Sequence, residues 1–422
     1  MLVCAGCCLV GCVWRESRNN GWDPGQSKTI LISGAKMTKA LHLAKAFHSA
    51  GHKVIFCETH KYRIAGHRFS KACHKFVEVP QPDSADYVDR LVEIVQAEAI
   101  DFYVPVCSPL SSYYDSQAIP ELEMHCQVLH PHPSHIEQLD NKFLLAEHAR
   151  SLDLAAPKSF LITEPQQVLD FDFSGEPRQF ILKSIPYDSV LRLDLTKLPC
   201  STREETERYV GALPISKSHP WVLQEFIPGR EFCTHSTVRD GRVRLHCCCE
   251  SSAFQVNYEH VDEPEIEDWV RKFVGDLNVS GQVSFDFIRA GDDGRIYAIE
   301  CNPRTHSAIT IFRDSVAVTE AYLGCAESTV AMPSAASSKP TYWLYHELWR
   351  ILTNLVRPKI VYERVQVLVQ GRDAVFDWRD PLPFLMLHHF QIPLLLITDI
   401  WLQKGWKRID FNIGKLVQLG GD

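Results

Sequence analysis

Ile296-Tyr297-Ala298-Ile299-Glu300-Cys301-Asn302-Pro303-Arg304 is the stretch on which the reading of this chain turns. Side chains alternate between the two faces of an extended strand, so Glu300 and Asn302 point the same way. Upstream, Gln282-Val283-Ser284-Phe285-Asp286-Phe287-Ile288 reads as a second strand with Asp286 among its polar positions. Gly291-Asp292-Asp293-Gly294 can turn one strand into the other. Two registers are open: a three-residue loop with a glycine bulge sets Asp286 opposite Glu300, whereas a two-residue turn sets it opposite Ile299. The first register gathers two carboxylates and an amide oxygen beside Arg304. Such hard oxygens suit magnesium, and the guanidinium can grip phosphate oxygens. The stretch therefore points to a nucleoside-triphosphate site. Acidic residues on sheets commonly serve as solvated edge charges, but these two lie inside strongly apolar strands, where an unpaired carboxylate is costly.

The rest of the chain sets the bounds. Its 422 residues suit two or three packed units, and 45% hydrophobic with 23% charged residues is the balance of a globular enzyme. A net charge of -8 without a long basic run argues against nucleic acid as a partner. The 15 cysteines are scattered, with neighbours such as Cys247-Cys248-Cys249, a usage that fits a reducing cytoplasm. Met1 to Trp14 is apolar but too short to span a bilayer. It lacks the basic start of a signal peptide. Cys4-Ala5-Gly6-Cys7 has no second pair to complete a zinc knuckle. Residues 1–27 are expected to be a disordered or membrane-touching leader.

Residues 28–133 alternate strand and helix: Ile30–Gly34, a helix to Ala50 with Gly51 as cap, Val54–Cys57, a helix between Asp86 and Ala99, then Asp101–Val106. That order predicts a small doubly wound α/β domain. The turn Ser33-Gly34-Ala35-Lys36 lacks the three glycines of a dinucleotide fold. From 134 to 327 the chain becomes strand-rich. Ser134-His135-Ile136-Glu137 reads as a capping box opening a helix with Lys142 in its second half. Phe180–Lys183 and Trp221–Ile227 read as apolar strands, and Arg239-Asp240-Gly241-Arg242 turns a hairpin. Ser/Ala/Pro-rich 328–341 is the expected linker. The aromatic, apolar segment 342–422 is expected to pack as an accessory region, with membrane-surface contact as the second reading.

In chain order, Lys142, Lys183, Gln224-Glu225-Phe226-Ile227, Glu231, Asp286, Glu300, Asn302 and Arg304 resemble the ATP-grasp fold, in which two α+β lobes with antiparallel sheets hold ATP. An α/β domain before those lobes is the usual companion. Leu31-Ile32-Ser33-Gly34-Ala35-Lys36-Met37-Thr38-Lys39-Ala40-Leu41 narrows the resemblance, as do Val106-Cys107-Ser108-Pro109, Ser112-Tyr113-Tyr114-Asp115-Ser116, Gln224 to Asp240, Glu300 to Ile311 and Gly405-Trp406 to Asp422. These stretches are similar to the ATP-grasp ligases of mycosporine-like amino acid biosynthesis, the mycosporine-glycine synthases. The similarity runs from about Lys28 to the C-terminus.

That resemblance implies an ADP-forming ligase that phosphorylates 4-deoxygadusol and couples it to glycine, giving an ultraviolet-absorbing product, mycosporine-glycine. It implies that Lys142 and Lys183 meet phosphate oxygens, that Glu225 accepts from the adenine amino group beside the backbone of Phe226 and Ile227, and that Glu231 meets the ribose. Asp286, Glu300 and Asn302 would hold two Mg2+ ions, with Mn2+ a substitute. Lys183 and Arg304 would be catalytic. Ser108, Tyr113, Tyr114 and His306 are the candidates for holding the acceptor or the amine. Where many relatives fold a glycine-rich flap over the phosphates, this chain has Ser184-Ile185-Pro186-Tyr187-Asp188-Ser189-Val190-Leu191-Arg192, with Arg192 supplying charge and Leu191 where closer relatives are more basic. Two other classes remain: an amino-acid or carboxylate–amine ligase working through an acyl phosphate, and a non-catalytic ATP-binding scaffold.

Overall fold

The computed structural model describes residues 27–106, 108–186, 191, 194–251, 257–324, 330–333 and 339–418. The leader through residue 26, Arg192 with most of the expected flap, and much of the expected linker lie outside the described residues.

The first layer is a parallel sheet of β1 (Thr29–Ile32), β2 (Lys53–Thr59), β3 (Lys75–Val79), β4 (Phe102–Val104) and β5 (Gln127–Val128), ordered β3-β2-β1-β4-β5. Its central strands are near-continuous apolar runs because both faces are covered. Ile30, Ile32, Val54 and Phe56 pack with the helix Thr38–Ser49, while Leu31, Ile55 and Cys57 pack on the other face against the helix Tyr87–Ala97. Gly34 follows β1 with φ +67°, where a Cβ would run into the Val106 carbonyl oxygen. This glycine is needed for close approach of the chain, not for a dinucleotide.

Two antiparallel sheets follow. The smaller, ordered β6-β8-β7, consists of β6 (Ser159–Ile162), β7 (Phe180–Ser184) and β8 (Trp221–Glu225). The larger, ordered β10-β9-β12-β13, contains β9 (Gly229–Arg239), β10 (Arg242–Glu250), β12 (Gly281–Ala290) and β13 (Ile296–Asn302); between them in sequence lies the short β11 (Asn257–Tyr258). Asp240 and Gly241 both have positive φ, which lets a two-residue turn join β9 to β10. One face of the larger sheet is apolar. Phe232, Phe285, Phe287 and Ala298 bury against Ile266, Trp269, Val270, Phe273 and Val274 of the helix Pro264–Leu277. Trp269 stacks on Phe273 at 4.9 Å, and Phe285 meets both rings edge-on. Truncating Phe285 to Ala should cost about 3–5 kcal/mol by leaving a cavity at this junction. A urea transition shifted to lower concentration would report that loss.

The opposite face of the same sheet carries the polar groups at one end, because the period of two sends Asp286, Glu300 and Asn302 away from that core, while Cys233, Leu245, Cys247 and Cys249 on that face are buried against the first domain.

Beyond residue 339, β14 (Thr341–Tyr342) pairs with β11 and with β15 (Arg372–Asp373), and β16 (Trp406–Asp410) pairs with β17 (Lys415–Gln418). This region grips the first domain. The buried Trp343 donates its indole N–H to the Thr38 hydroxyl at 3.1 Å, and the Asn412 carbonyl accepts from the Thr38 N–H at 2.8 Å. Its outer side is apolar and exposed, with Trp349, Trp378 and Trp401 each more than three-fifths open. The segment Leu382–Trp401 is long and apolar enough by length and composition to cross a membrane, and a third of it is buried inside the structure.

Candidate active site

The site begins with a defect in a ladder. Arg289 faces Ile296, Ile288 faces Tyr297 and Phe287 faces Ala298, a register set by the four-residue loop Gly291–Gly294. Continued unchanged, it would set Asp286 opposite Ile299. Instead Ile299 is an extra residue in β13, and beyond it Asp286 faces Glu300, Phe285 faces Cys301 and Ser284 faces Asn302. The bulge therefore lies inside the strand and not in the turn. Gln224 of β8 donates its amide N–H to the Ile299 carbonyl at 3.4 Å, so the bulge also joins the two antiparallel sheets.

With this register the polar set assembles. The Asn302 amide nitrogen lies 3.5 Å from an Asp286 oxygen and 3.4 Å from a Glu300 oxygen. Lys142 pairs with the second Glu300 oxygen at 3.1 Å. Burial, first, and the facing Glu300 carboxylate, second, push the Asp286 carboxyl well above its usual range; Arg304 and Lys142 pull the other way. Burial likewise raises Asp140, against the pull of Arg304 and Lys142. Two facing carboxylates with an amide that can turn its oxygen toward them form an all-oxygen donor set. Mg2+ fits that chemistry, and a divalent cation would offset the repulsion that raises Asp286. Among the described residues, no group of three His, Cys, Asp or Glu side chains gathers at metal-binding spacing; the pair has the Asn302 amide as its third neighbour.

Lys142 arrives here differently from the sequence expectation. The helix expected from Ser134 starts at Pro133 with His132 as its cap, and it ends at Asp140. Asn141 is extended, and its side-chain oxygen accepts from the N–H groups of Phe143 and Leu144, starting a new helix, Lys142–Ser151. Lys142 is thus the first residue of the second helix, not a late residue of the first.

The remaining candidates divide. Lys183, on β7, donates to the Asp194 carbonyl at 2.8 Å. Glu225 is buried, and its carboxylate accepts from the Lys158 backbone N–H at 3.1 Å and from Arg178 at 3.4 Å. Arg178 also clamps Asp292 and Asp293 of the Gly291–Gly294 loop, tying the smaller sheet to the larger one. The Glu225 side chain therefore has an ion-pair role that the sequence analysis did not foresee. The Phe226 N–H is held by the Gln179 carbonyl, and the Lys197 ammonium lies 4.4 Å over the Phe226 ring. Ile227 packs with Ile288 and Tyr297 on the polar side of the larger sheet. Glu231 is exposed on β9 opposite Ile288, two positions along from the Cys233–Asp286 pair and on the same face.

Of the expected acceptor residues, Ser108 caps the helix Pro109–Gln117 by accepting from the Ser111 N–H. Tyr113 is half exposed and packs edge-on against Tyr114. The serine between these positions reaches the site instead: Ser112 donates to the Pro303 carbonyl at 2.9 Å. His306 sits beside the cluster, its Nδ1 accepting from the Ala308 N–H, so Nε2 carries the proton. Burial, then Lys39 and Arg304, lower its pKa to about 3, so it is a neutral donor.

Three neighbours were missed. Lys39 is buried and donates to the Thr305 carbonyl at 2.5 Å. It lies on the stripe of Leu43 and Ala46, and a lysine on an apolar stripe was a readable signal. His235 accepts at Nδ1 from the His306 N–H, leaving its buried Nε2 without a partner among the described residues. Asp140 is the third.

No protein-family profile matches the chain. The C-terminal section of the carbamoyl phosphate synthase large chain of Methanopyrus kandleri is 22% identical over 228 residues, 49% of this chain and 40% of that protein. The chain thus spans two-fifths of the curated relative it matches. Among solved structures, Staphylococcus aureus N5-carboxyaminoimidazole synthetase complexed with ADP superposes with a TM-score of 0.55 at 14% identity, covering 75% of this chain and 82% of that one. The biotin carboxylase of Campylobacter jejuni gives 0.54 at 13% identity, covering 72% and 73%. Rhizobium etli pyruvate carboxylase gives 0.52 at 16%, covering 74% of this chain and 29% of that one. The chain has the ATP-grasp fold, as its order of residues led us to expect.

Proposed function

We propose that the chain is an ATP-dependent, ADP-forming ligase that makes a carbon–nitrogen bond, with 4-deoxygadusol as acceptor and glycine as amine. The observation that carries the reading is the Asp286–Glu300 pair beside Asn302, Lys142 and Arg304, set on the sheet face turned away from the Trp269–Phe273 core. Nucleotide binding by a solved neighbour of the same fold supports it, since the Staphylococcus synthetase is complexed with ADP.

The chemistry explains why such a site is needed. Hydroxide leaves poorly, so an amine cannot readily displace the ring enol oxygen. Transfer of the γ-phosphoryl group to that oxygen breaks the bond from the γ-phosphorus to ADP, releases the enol proton and gives an enol phosphate. The glycine nitrogen then adds at the same carbon, phosphate departs with the C–O electron pair, and the nitrogen loses a proton. Lys142 and Arg304 hold the terminal phosphate and spread its developing charge; Lys183 approaches from the smaller lobe. Asp286, Glu300 and Asn302 would hold one or two Mg2+ ions, which neutralise phosphate charge when bound. Neutral His306, with its Nε2 proton, would donate to a carboxylate or ring oxygen of the second substrate.

Incubation of the purified chain with ATP, magnesium, glycine and 4-deoxygadusol should yield ADP and a new ultraviolet-absorbing adduct. ADP release with a small carboxylate in place of 4-deoxygadusol would instead identify an acyl-phosphate ligase. No ADP release with any acceptor would leave a nucleotide-binding scaffold. The buried, unpaired thiols of Cys57, Cys233, Cys247 and Cys301 support a reducing, cytoplasmic setting. The exposed apolar side of Leu382–Trp401 supports weak contact with a membrane surface, which vesicle co-sedimentation measures.

A further inference from the structure

A second polar cavity lies away from the carboxylate pair, where three parts of the chain meet. The helix Thr38–Ser49 contributes His42 and Lys45, the segment after the Ser307–Ile311 turn contributes Arg313, and the chain from β15 contributes Arg372, Asp373 and Asp377. Its volume is about 150 Å³.

The charges in it do not cancel locally. Asp373 is saturated by backbone donors, accepting from the N–H groups of Leu344, Val375 and Phe376. Asp377 accepts from the Arg379 N–H and pairs with Lys45 at 3.6 Å; Lys45 also meets Asp380 at 3.7 Å. Both lining carboxylates and the lysine are therefore engaged. Arg313 is not: its Nε and Nη2 are buried and have no hydrogen-bond partner among the described residues. The His42 Nε2, on the same cavity, is likewise buried and unpartnered. Guanidinium N–H groups buried without a protein acceptor are costly to leave unmatched, so the acceptor must come from what fills the cavity.

We propose that this cavity binds a small oxyanion, a phosphate or a carboxylate, with Arg313 as the principal donor and Arg372 as the second cation. The planar fork of a guanidinium matches either oxyanion through paired N–H···O bonds. The volume excludes a nucleoside and suits a ligand of about benzene size. The site also has a line to the proposed active site. His42 and Lys45 sit one and two turns along the helix from Lys39, whose ammonium holds the Thr305 carbonyl beside Arg304.

Calorimetric titration of the full chain with sodium phosphate and, separately, sodium acetate, at constant ionic strength in chloride, tests the proposal. One of the two anions should bind saturably, which also distinguishes a phosphate site from a carboxylate site. Arg313→Met should weaken that binding about tenfold or more, as expected for loss of charge-assisted hydrogen bonds. In chloride alone this variant should melt no lower than the wild type, because an unmatched buried charge has been removed. Should Arg313→Met fail to fold, Arg372→Met carries the same test with a smaller expected loss. The proposal is overturned if neither anion saturates, or if the titration is unchanged in these variants. It is equally overturned if binding survives Arg313→Met but is lost in Arg304→Met, which would assign the anion to the carboxylate-pair site.

Discussion

Glu300→Gln is expected to cut ATP-dependent turnover by about 10²- to 10³-fold while leaving the chain folded. The substitution keeps the shape of the side chain and removes the charge that, with Asp286, makes the face opposite the aromatic core attractive to a divalent cation. It also loosens Lys142, which pairs with Glu300 at 3.1 Å. Stability should respond in the opposite sense. Asp286 is pushed well above the usual carboxylate range by burial and then by Glu300. A carboxyl raised in this way favours the folded chain below its ordinary pKa and loses that advantage as pH rises through the raised value. In a chelating buffer the wild-type melting temperature should therefore fall as pH climbs from the ordinary aspartate range, and the fall should be shallower in Glu300→Gln. Melts between about pH 4 and pH 8, with turnover measured beside them, check both halves. Wild-type turnover in the variant would remove Glu300 from the site.

How much of this was legible in sequence follows from the range over which each feature is determined. The two faces of β12 and β13 were readable because the alternation of Phe285, Asp286 and Phe287 is local. The register between them was not. Sequence left two pairings open and tied the Asp286–Glu300 pairing to the turn, whereas the shift comes from an extra residue at Ile299. An isoleucine in an apolar strand carries no mark of a bulge. Its carbonyl is matched by Gln224, 75 residues earlier, which no local pattern encodes. Lys142 shows a different failure: two caps competed, and the Ser134-x-x-Glu137 pattern obscured Asn141, whose side chain starts the helix that delivers the lysine. At Glu225 the resemblance implied an adenine contact, while the side chain is buried on partners, Arg178 and the Lys158 N–H, that come from other segments and that no local pattern encodes. The acceptor candidates Tyr113 and Tyr114 were chosen for their hydroxyls, yet their rings pack on each other while Ser112 faces the site.

Arg304→Met should cause the second large loss, and its form would decide which substrate the guanidinium serves. Arg304 draws down the carboxyls of both Asp286 and Asp140 and lowers the neighbouring His306, so its charge reaches across the whole polar face. If it holds the transferred phosphate, ADP release should fall by about 10²- to 10³-fold whatever amine is supplied, because a contact made to charge developing in the transition state has been removed. If it holds the amine's carboxylate, the loss should appear as a raised KM for glycine, with the glycine-independent phosphorylation of the acceptor little changed. Arg304→Lys separates geometry from charge: a point charge can restore part of a phosphate contact but not a paired fork on a carboxylate. The pull of Arg304 on the carboxyls of Asp286 and Asp140 supports the phosphate assignment, since it sets the guanidinium with the acidic pair. The expected result is therefore a fall in kcat with both amine and acceptor saturating. Wild-type kcat in Arg304→Met, with only the KM for glycine raised, would move the arginine to the amine side of the site.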